Sequence, residues 1–234
     1  MLISEIYQSL QGEGSLTGVA SVFVRTSGCN LRCDFCDTPF ASWNPVGDSL
    51  TIGKIVDQVA ICASHCSPAA AHVVLTGGEP LIPRDVSQLC EQLHAEGFHI
   101  TIETAGTLFR QVPCDLMSIS PKFANSTPAF SRAGEWQAKH ELTRFRPAIV
   151  RQLIERYDYQ LKFVVDQPTD LREIVDYLAI IAPYSLARVM LMPQGVDSQT
   201  LAEKEIWLRP LCEQYGFTYC PRRHIQWYGN QRGT

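Results

Sequence analysis

Short β-branched runs alternate with amphipathic stretches along most of the chain. Residues 21–26, 72–76, 99–103, 116–120, 160–165 and 187–192 have the Val, Ile and Leu density of buried strands. Between them, residues 54–66 set Ile55, Val59, Cys62 and Cys66 at helical spacing. Residues 86–96 put Val86, Leu89, Cys90 and Leu93 on one face, with Gly97 placed as a C-cap. Leu171, Ile174, Val175 and Leu178 share the face of a helix that Thr169 or Asp170 would cap, and residues 199–215 form another that stops at Gly216. Such alternation builds a mostly parallel sheet with helices outside it. Six strands are fewer than the eight of a closed barrel. The expected fold is therefore α/β, an incomplete TIM-like barrel of about six parallel strands with outer helices.

Three stretches break the rhythm. They are the cysteine-rich loop and its sequel at 28–49, a polar segment at 123–159 with a helix near 148–156, and the tail at 220–234. No repeat, low-complexity tract or linker divides the chain. Residues 1–234 read as a single domain with one insertion near 123–159 and a C-terminal tail.

The 234 residues are 45% hydrophobic and 19% charged, an ordinary globular balance, and the net charge of -4 argues against a generally basic nucleic-acid binder. The most apolar stretch, 177–192, is interrupted by Pro183, Ser185 and Arg188 well short of the ~20 residues a membrane span needs. No basic-then-apolar secretory signal opens the chain. The expected location is the cytoplasm, with neither membrane nor nucleic acid as a direct partner. Nine cysteines cannot all pair internally, and clustered thiols in a reducing compartment point to metal or redox chemistry.

Cys29, Cys33 and Cys36 form a C-x3-C-x2-C loop directly after the 21–26 strand. A structural zinc site takes four closed ligands, and the next candidates in sequence, Cys62, His65 and Cys66, fall on an expected helix. Three thiolates on a four-iron cluster leave one iron open to a cofactor. The competing reading is a zinc site completed by a distant residue. Further on, Val73–Pro80 is a strand running into Gly77-Gly78-Glu79-Pro80, where glycines permit close backbone approach to a ligand or simply make a turn. Ser120-Pro121-Lys122 and Met192-Pro193-Gln194-Gly195 also stand at strand ends, where parallel sheets bind ligands.

The three-cysteine loop and the Gly-Gly-Glu-Pro stretch resemble the radical S-adenosylmethionine enzymes. That resemblance implies a 4Fe-4S cluster on Cys29, Cys33 and Cys36, with S-adenosylmethionine chelating the open iron. It implies cofactor contacts at Phe35, Cys36, Asp37, Gly78, Glu79, Ser120, Pro121, Lys122 and Gln194. Within that group, Ile6-Tyr7-Gln8-Ser9-Leu10-Gln11-Gly12-Glu13-Gly14, Arg25, Asp37-Thr38, Thr76, Glu103-Thr104-Ala105-Gly106, Gln160-Leu161-Lys162 and His224 resemble the 7-carboxy-7-deazaguanine synthases of queuosine biosynthesis. The narrower resemblance implies ring contraction of 6-carboxy-5,6,7,8-tetrahydropterin with loss of ammonia. It also implies a magnesium ion, a homodimer, and an electron donor such as a flavodoxin or ferredoxin.

The residues carry these roles in different degrees. Arg25 suits a bidentate carboxylate contact. Leu10, Gln11, Gly12, Glu13, Thr76 and His224 are expected at the substrate, with Glu13 and His224 as the catalytic pair. Glu13 is open to two readings: an acceptor for ring nitrogens, or a proton carrier. Thr38 is a hard oxygen donor suited to magnesium, or a cap for the next turn. The remaining cysteines, 62, 66, 90, 114, 212 and 220, read as buried structural thiols. Two rivals stand beside this: an activase that places a glycyl radical on a partner enzyme, and a non-enzymatic electron carrier or zinc module.

Overall fold

The computed structural model describes residues 1–65 and 70–234. In chain order the elements are β1 (Leu2–Leu10), β2 (Ala20–Thr26), α1 (Pro39–Ser42), β3 (Asp48–Ser49), α2 (Ile52–Ser64), β4 (His72–Gly77), α3 (Val86–Ala95), β5 (His99–Thr104) and β6 (Leu116–Ile119). They continue through α4 (Phe130–Ala133), α5 (Trp136–Arg144), α6 (Pro147–Arg156), β7 (Tyr159–Val165), α7 (Asp170–Ile181), β8 (Val189–Pro193), α8 (Ser198–Tyr215), β9 (Thr218–Tyr219) and α9 (Arg223–Tyr228). Helix ends follow local chemistry. Thr51 Oγ1 caps α2 by accepting from Lys54 N at 3.3 Å, and Asp197 caps α8 by accepting from Thr200 N at 2.8 Å. Gly216, at φ +71°, lets Phe217 N return to Cys212 O and close α8.

The nine strands among the described residues form one sheet in the order β3-β1-β2-β4-β5-β6-β7-β8-β9. From β2 to β9 all neighbours are parallel, while β1 runs antiparallel to β2 and to β3. The six expected strands are β2 and β4–β8, and the ends β3 and β9 do not pair, so the barrel is open. The sheet extends beyond those six by β1, β3 and β9. The strand β1 escapes an apolar-run reading because Ser4, Glu5, Gln8 and Ser9 interrupt it.

Alternation along the parallel strands fixes two faces. Val22, Val24, Val73, Leu75, Ile100, Ile102, Leu161, Phe163 and Leu191 join one buried cluster with the residues of α2, α3, α6, α7 and α8. The alternate positions Arg25, Thr76, Glu103, Ser118 and Lys162 turn to the other face and line a cavity. A strand that is apolar on the helix side and charged on the other therefore places the polar site inside the sheet's curve. The expected helical Cys66 lies outside the described residues. Cys90, Cys212 and Cys220 are buried as expected, whereas Cys62 and Cys114 are partly exposed.

Candidate active site

The cavity has a volume of about 530 Å³ and opens at the carboxyl ends of the parallel strands. Cys29, Cys33 and Cys36 all line it, together with Phe35, Asp37 and Thr38. The loop is fixed from below: Gly28 N donates to Ala41 O at 2.8 Å, and Glu79 N donates to Gly28 O at 3.0 Å. A β-carbon on Gly78 would stand 2.0 Å from Gly28 O, so only glycine permits this approach of the two loops. Burial pushes the thiols of Cys29 and Cys33 up to about 12. Thiolates here need positive charge, which a metal cluster supplies. No other described cysteine lines the cavity, so the donor set is three thiols from one loop, as a cluster with one open iron requires. Among the described residues no three His, Cys, Asp or Glu side chains converge on a single ion. A cluster that offers each thiolate its own iron does not require such convergence.

Glu79 departs from its expected cofactor contact. It is fully buried and absent from the cavity lining. Its carboxylate accepts from Thr104 Oγ1 at 2.8 and 2.9 Å, Ala105 N at 2.9 Å and Leu81 N at 3.1 Å, tying the loop after β4 to the end of β5. Pro121 is likewise buried and off the lining, between the lining residues Ser120 and Lys122. Glu79→Gln should test the tie. An amide nitrogen would face a backbone donor, and the melt should drop by about 1–3 kcal/mol of stability without loss of a cavity-lining group.

A charged network crosses the cavity floor. Lys162 Nζ donates to Glu13 Oε2 at 2.8 Å and stands 3.6 Å from Glu103 Oε1. Arg222 donates to Glu13 Oε1 at 3.1 Å and pairs with Asp37. Gln11 Nε2 and Thr76 Oγ1 both donate to Glu103, at 3.2 and 2.9 Å. Burial alone would raise Glu13, but Lys162 and Arg222 hold its carboxyl well below the usual carboxylate range. The ionised form of Glu13 is thereby favoured, as an acceptor for ring donors needs. His224 stands against it, Nε2 to Oε1 at 3.9 Å, and burial holds its imidazole below 6.5. A β-carbon on Gly12 would lie 2.4 Å from His224 Nδ1, so this glycine seats the tail.

The pH consequence has a definite sign. Glu13 is depressed on folding, so its stabilisation is present in full above the ordinary carboxylate value of 4.5 and is lost as pH falls toward the folded value. The stability gap between wild type and Glu13→Gln should therefore be widest near neutrality and shrink below about pH 4.5. Thermal melts across pH 3–7 measure it.

Arg25 holds Glu5 at 2.6 Å through Nε and donates to the Tyr7 hydroxyl at 2.8 Å. The tail's Arg232 reaches the other Glu5 oxygen at 2.9 Å and lies 4.4 Å over the Phe40 ring. Leu10, Gln11, Gly12, Thr76, Gly78 and Gln194 all line the cavity. Phe35 packs against Val164, Met190, Met192 and Cys220. Thr38 sits at the N-cap position of α1, yet its hydroxyl makes no capping bond. Glu103, Lys162 and Arg222 are site residues that the candidate set omits. Their signal is a charge breaking the apolar run in β5 and in β7, and Arg222 is the one tail arginine buried in the site.

The sequence profile of the radical S-adenosylmethionine superfamily matches residues 23–159. The 7-carboxy-7-deazaguanine synthase of Rhodopirellula baltica is 46% identical over 100% of this chain and 89% of its own length. That of Halobacterium salinarum is 44% identical over 95% of this chain and 88% of its own. The crystal structure of QueE from Escherichia coli shares the fold, with a TM-score of 0.67 at 23% identity over 95% of this chain and 94% of that one. The three-thiol loop at the mouth of an open parallel barrel and these full-length relatives agree: the chain is a radical S-adenosylmethionine lyase that belongs to the 7-carboxy-7-deazaguanine synthase family.

Proposed function

We propose that the chain converts 6-carboxy-5,6,7,8-tetrahydropterin to 7-carboxy-7-deazaguanine with release of ammonia, within queuosine-type deazapurine synthesis. One observation carries the reading: a single cavity joins the three-thiol loop to a floor of Glu13, Glu103 and Lys162, with Arg25 on its wall. Cys29, Cys33 and Cys36 would hold the cluster, with S-adenosylmethionine beside Phe35, Gly78, Ser120, Lys122 and Gln194. When bound, this pair supplies the electron and the carbon-centred radical that takes hydrogen from the carbon bearing the carboxylate.

The protein's own groups do the rest. Arg25 faces the substrate carboxylate. Glu13 and Glu103, grouped around Lys162, accept from the donors of the guanidine-like ring edge. His224 takes a proton during rearrangement. The uncapped Thr38 hydroxyl offers magnesium one oxygen, which suits an ion that keeps most of its waters. A flavodoxin or ferredoxin would deliver the electron to a cytoplasmic homodimer. No helix among the described residues is long and apolar enough to cross a membrane.

Substrate deuterated at the carboxylate-bearing carbon tests the assignment. Deuterium should appear in 5′-deoxyadenosine or in recovered S-adenosylmethionine, and unlabelled cofactor products would contradict it. Thr38→Ala should raise the magnesium needed for half-maximal turnover by about tenfold or more while leaving iron content unchanged.

A further inference from the structure

We infer that His140 is a positioning residue for the cysteine loop, and that residues 123–145 clamp that loop in the shape the cluster needs. The insertion lies outside the strand–helix rhythm and places His140 on α5, fully buried. Its Nδ1 accepts from Arg32 N at 3.1 Å. A backbone amide can only donate, so the ring proton sits on Nε2, which stands 2.9 Å from Ser126 Oγ. Ser126 Oγ passes its own hydrogen to Phe123 O at 2.6 Å.

A second rung lies beside the first. Ser126 O accepts from Asp34 N at 2.8 Å, and Arg132 donates to Asp34 O at 2.6 Å. The two amides on either side of Cys33 are thus both tied to the insertion. Trp136 completes the clamp: the Arg32 guanidinium lies 3.9 Å over its ring and donates to Cys29 O and Leu31 O at 2.9 and 2.8 Å. Every partner in this relay is satisfied with the imidazole in place, and removing the ring orphans the buried Arg32 amide. The loop would then relax and shift the Cys33 thiol relative to its neighbours.

The inference rests on the cluster reading of the loop and not on the substrate assignment. Its test compares wild type, His140→Leu, His140→Asn and Ser126→Ala after anaerobic reconstitution. The readouts are iron per chain, the rate of cluster bleaching by an iron chelator, the electron paramagnetic resonance signal of the reduced cluster, and the alkylation rate of Cys33 in the apoprotein. His140→Leu should bleach about tenfold faster and alkylate faster, with an altered resonance signal. His140→Asn, whose Oδ1 can accept from the Arg32 amide, should recover most of the difference, and Ser126→Ala should fall between. A His140→Leu protein that melts lower yet bleaches at the wild-type rate overturns the inference. If that variant does not fold, wild-type bleaching in both His140→Asn and Ser126→Ala overturns it. A wild type that takes up no iron overturns the cluster reading itself.

Discussion

Cys33→Ala is expected to bring turnover below about one-thousandth of wild type, because the described residues give the site no spare thiol. Cys62, Cys90, Cys114, Cys212 and Cys220 all stand off the cavity lining, so none can replace a lost ligand without moving a strand or helix. The loop itself should survive. Trp43 Nε1 donates to Cys33 O at 3.0 Å, and the amides of Arg32 and Asp34 are held from the insertion, none of which involves the Cys33 side chain. Burial of that thiol is unfavourable for its ionised form, so the apoprotein has no electrostatic reason to unfold when it is removed. Iron analysis, deoxyadenosine release and a thermal melt separate these effects. Iron and cleavage should be lost while the melt stays near wild type. Retained turnover would mean that the cluster is not on this loop.

Lys162→Met should cripple the enzyme by a different route. Lys162 Nζ is nearly inaccessible and faces two carboxylates, with Glu13 as its closest charge. Burial alone would lower its pKa, but Glu13 and Glu103 raise it, so it is a fixed cation. Without it, Glu13 keeps Arg222 while Glu103 keeps only the neutral donors Gln11 and Thr76. Removing one partner of a buried ion pair costs about 3–5 kcal/mol, and the same loss is expected in the melt here. Turnover should fall by about 100-fold or more, since the two carboxylates would no longer be held at the ring edge. The three-thiol loop stands apart from this pair, so a cluster held there should load normally. Normal iron content with impaired turnover places Lys162 on the substrate side. Loss of the cluster would instead show the floor and the loop to be one structural unit.

The parts of the fold that read directly from the sequence are those where burial and period coincide. The strands β2 and β4–β8 sit between helices, so an unbroken apolar face stands out. The strand β1, between β3 and β2, contributes Glu5, Tyr7 and Leu10 to the cavity, and its polar residues interrupt the apolar run, which masks it. The cysteine loop is legible because ligand chemistry fixes its spacing. The carboxylate floor is less so. Glu103 and Lys162 belong to different strands, and only parallel pairing through β6 brings them to one face. The polar segment at 123–159 carries no ligand pattern, and its contacts on the loop run largely through backbone groups. Glu79 shows the opposite limit: a motif position that suggests ligand contact is turned inward by three hydrogen-bond donors.

The most direct measurement is anaerobic turnover with dithionite, S-adenosylmethionine, magnesium and 6-carboxytetrahydropterin, followed by mass spectrometry of the products. 7-Carboxy-7-deazaguanine should accumulate together with ammonia over many turnovers. Cleavage of S-adenosylmethionine to 5′-deoxyadenosine with the pterin returned intact would contradict it.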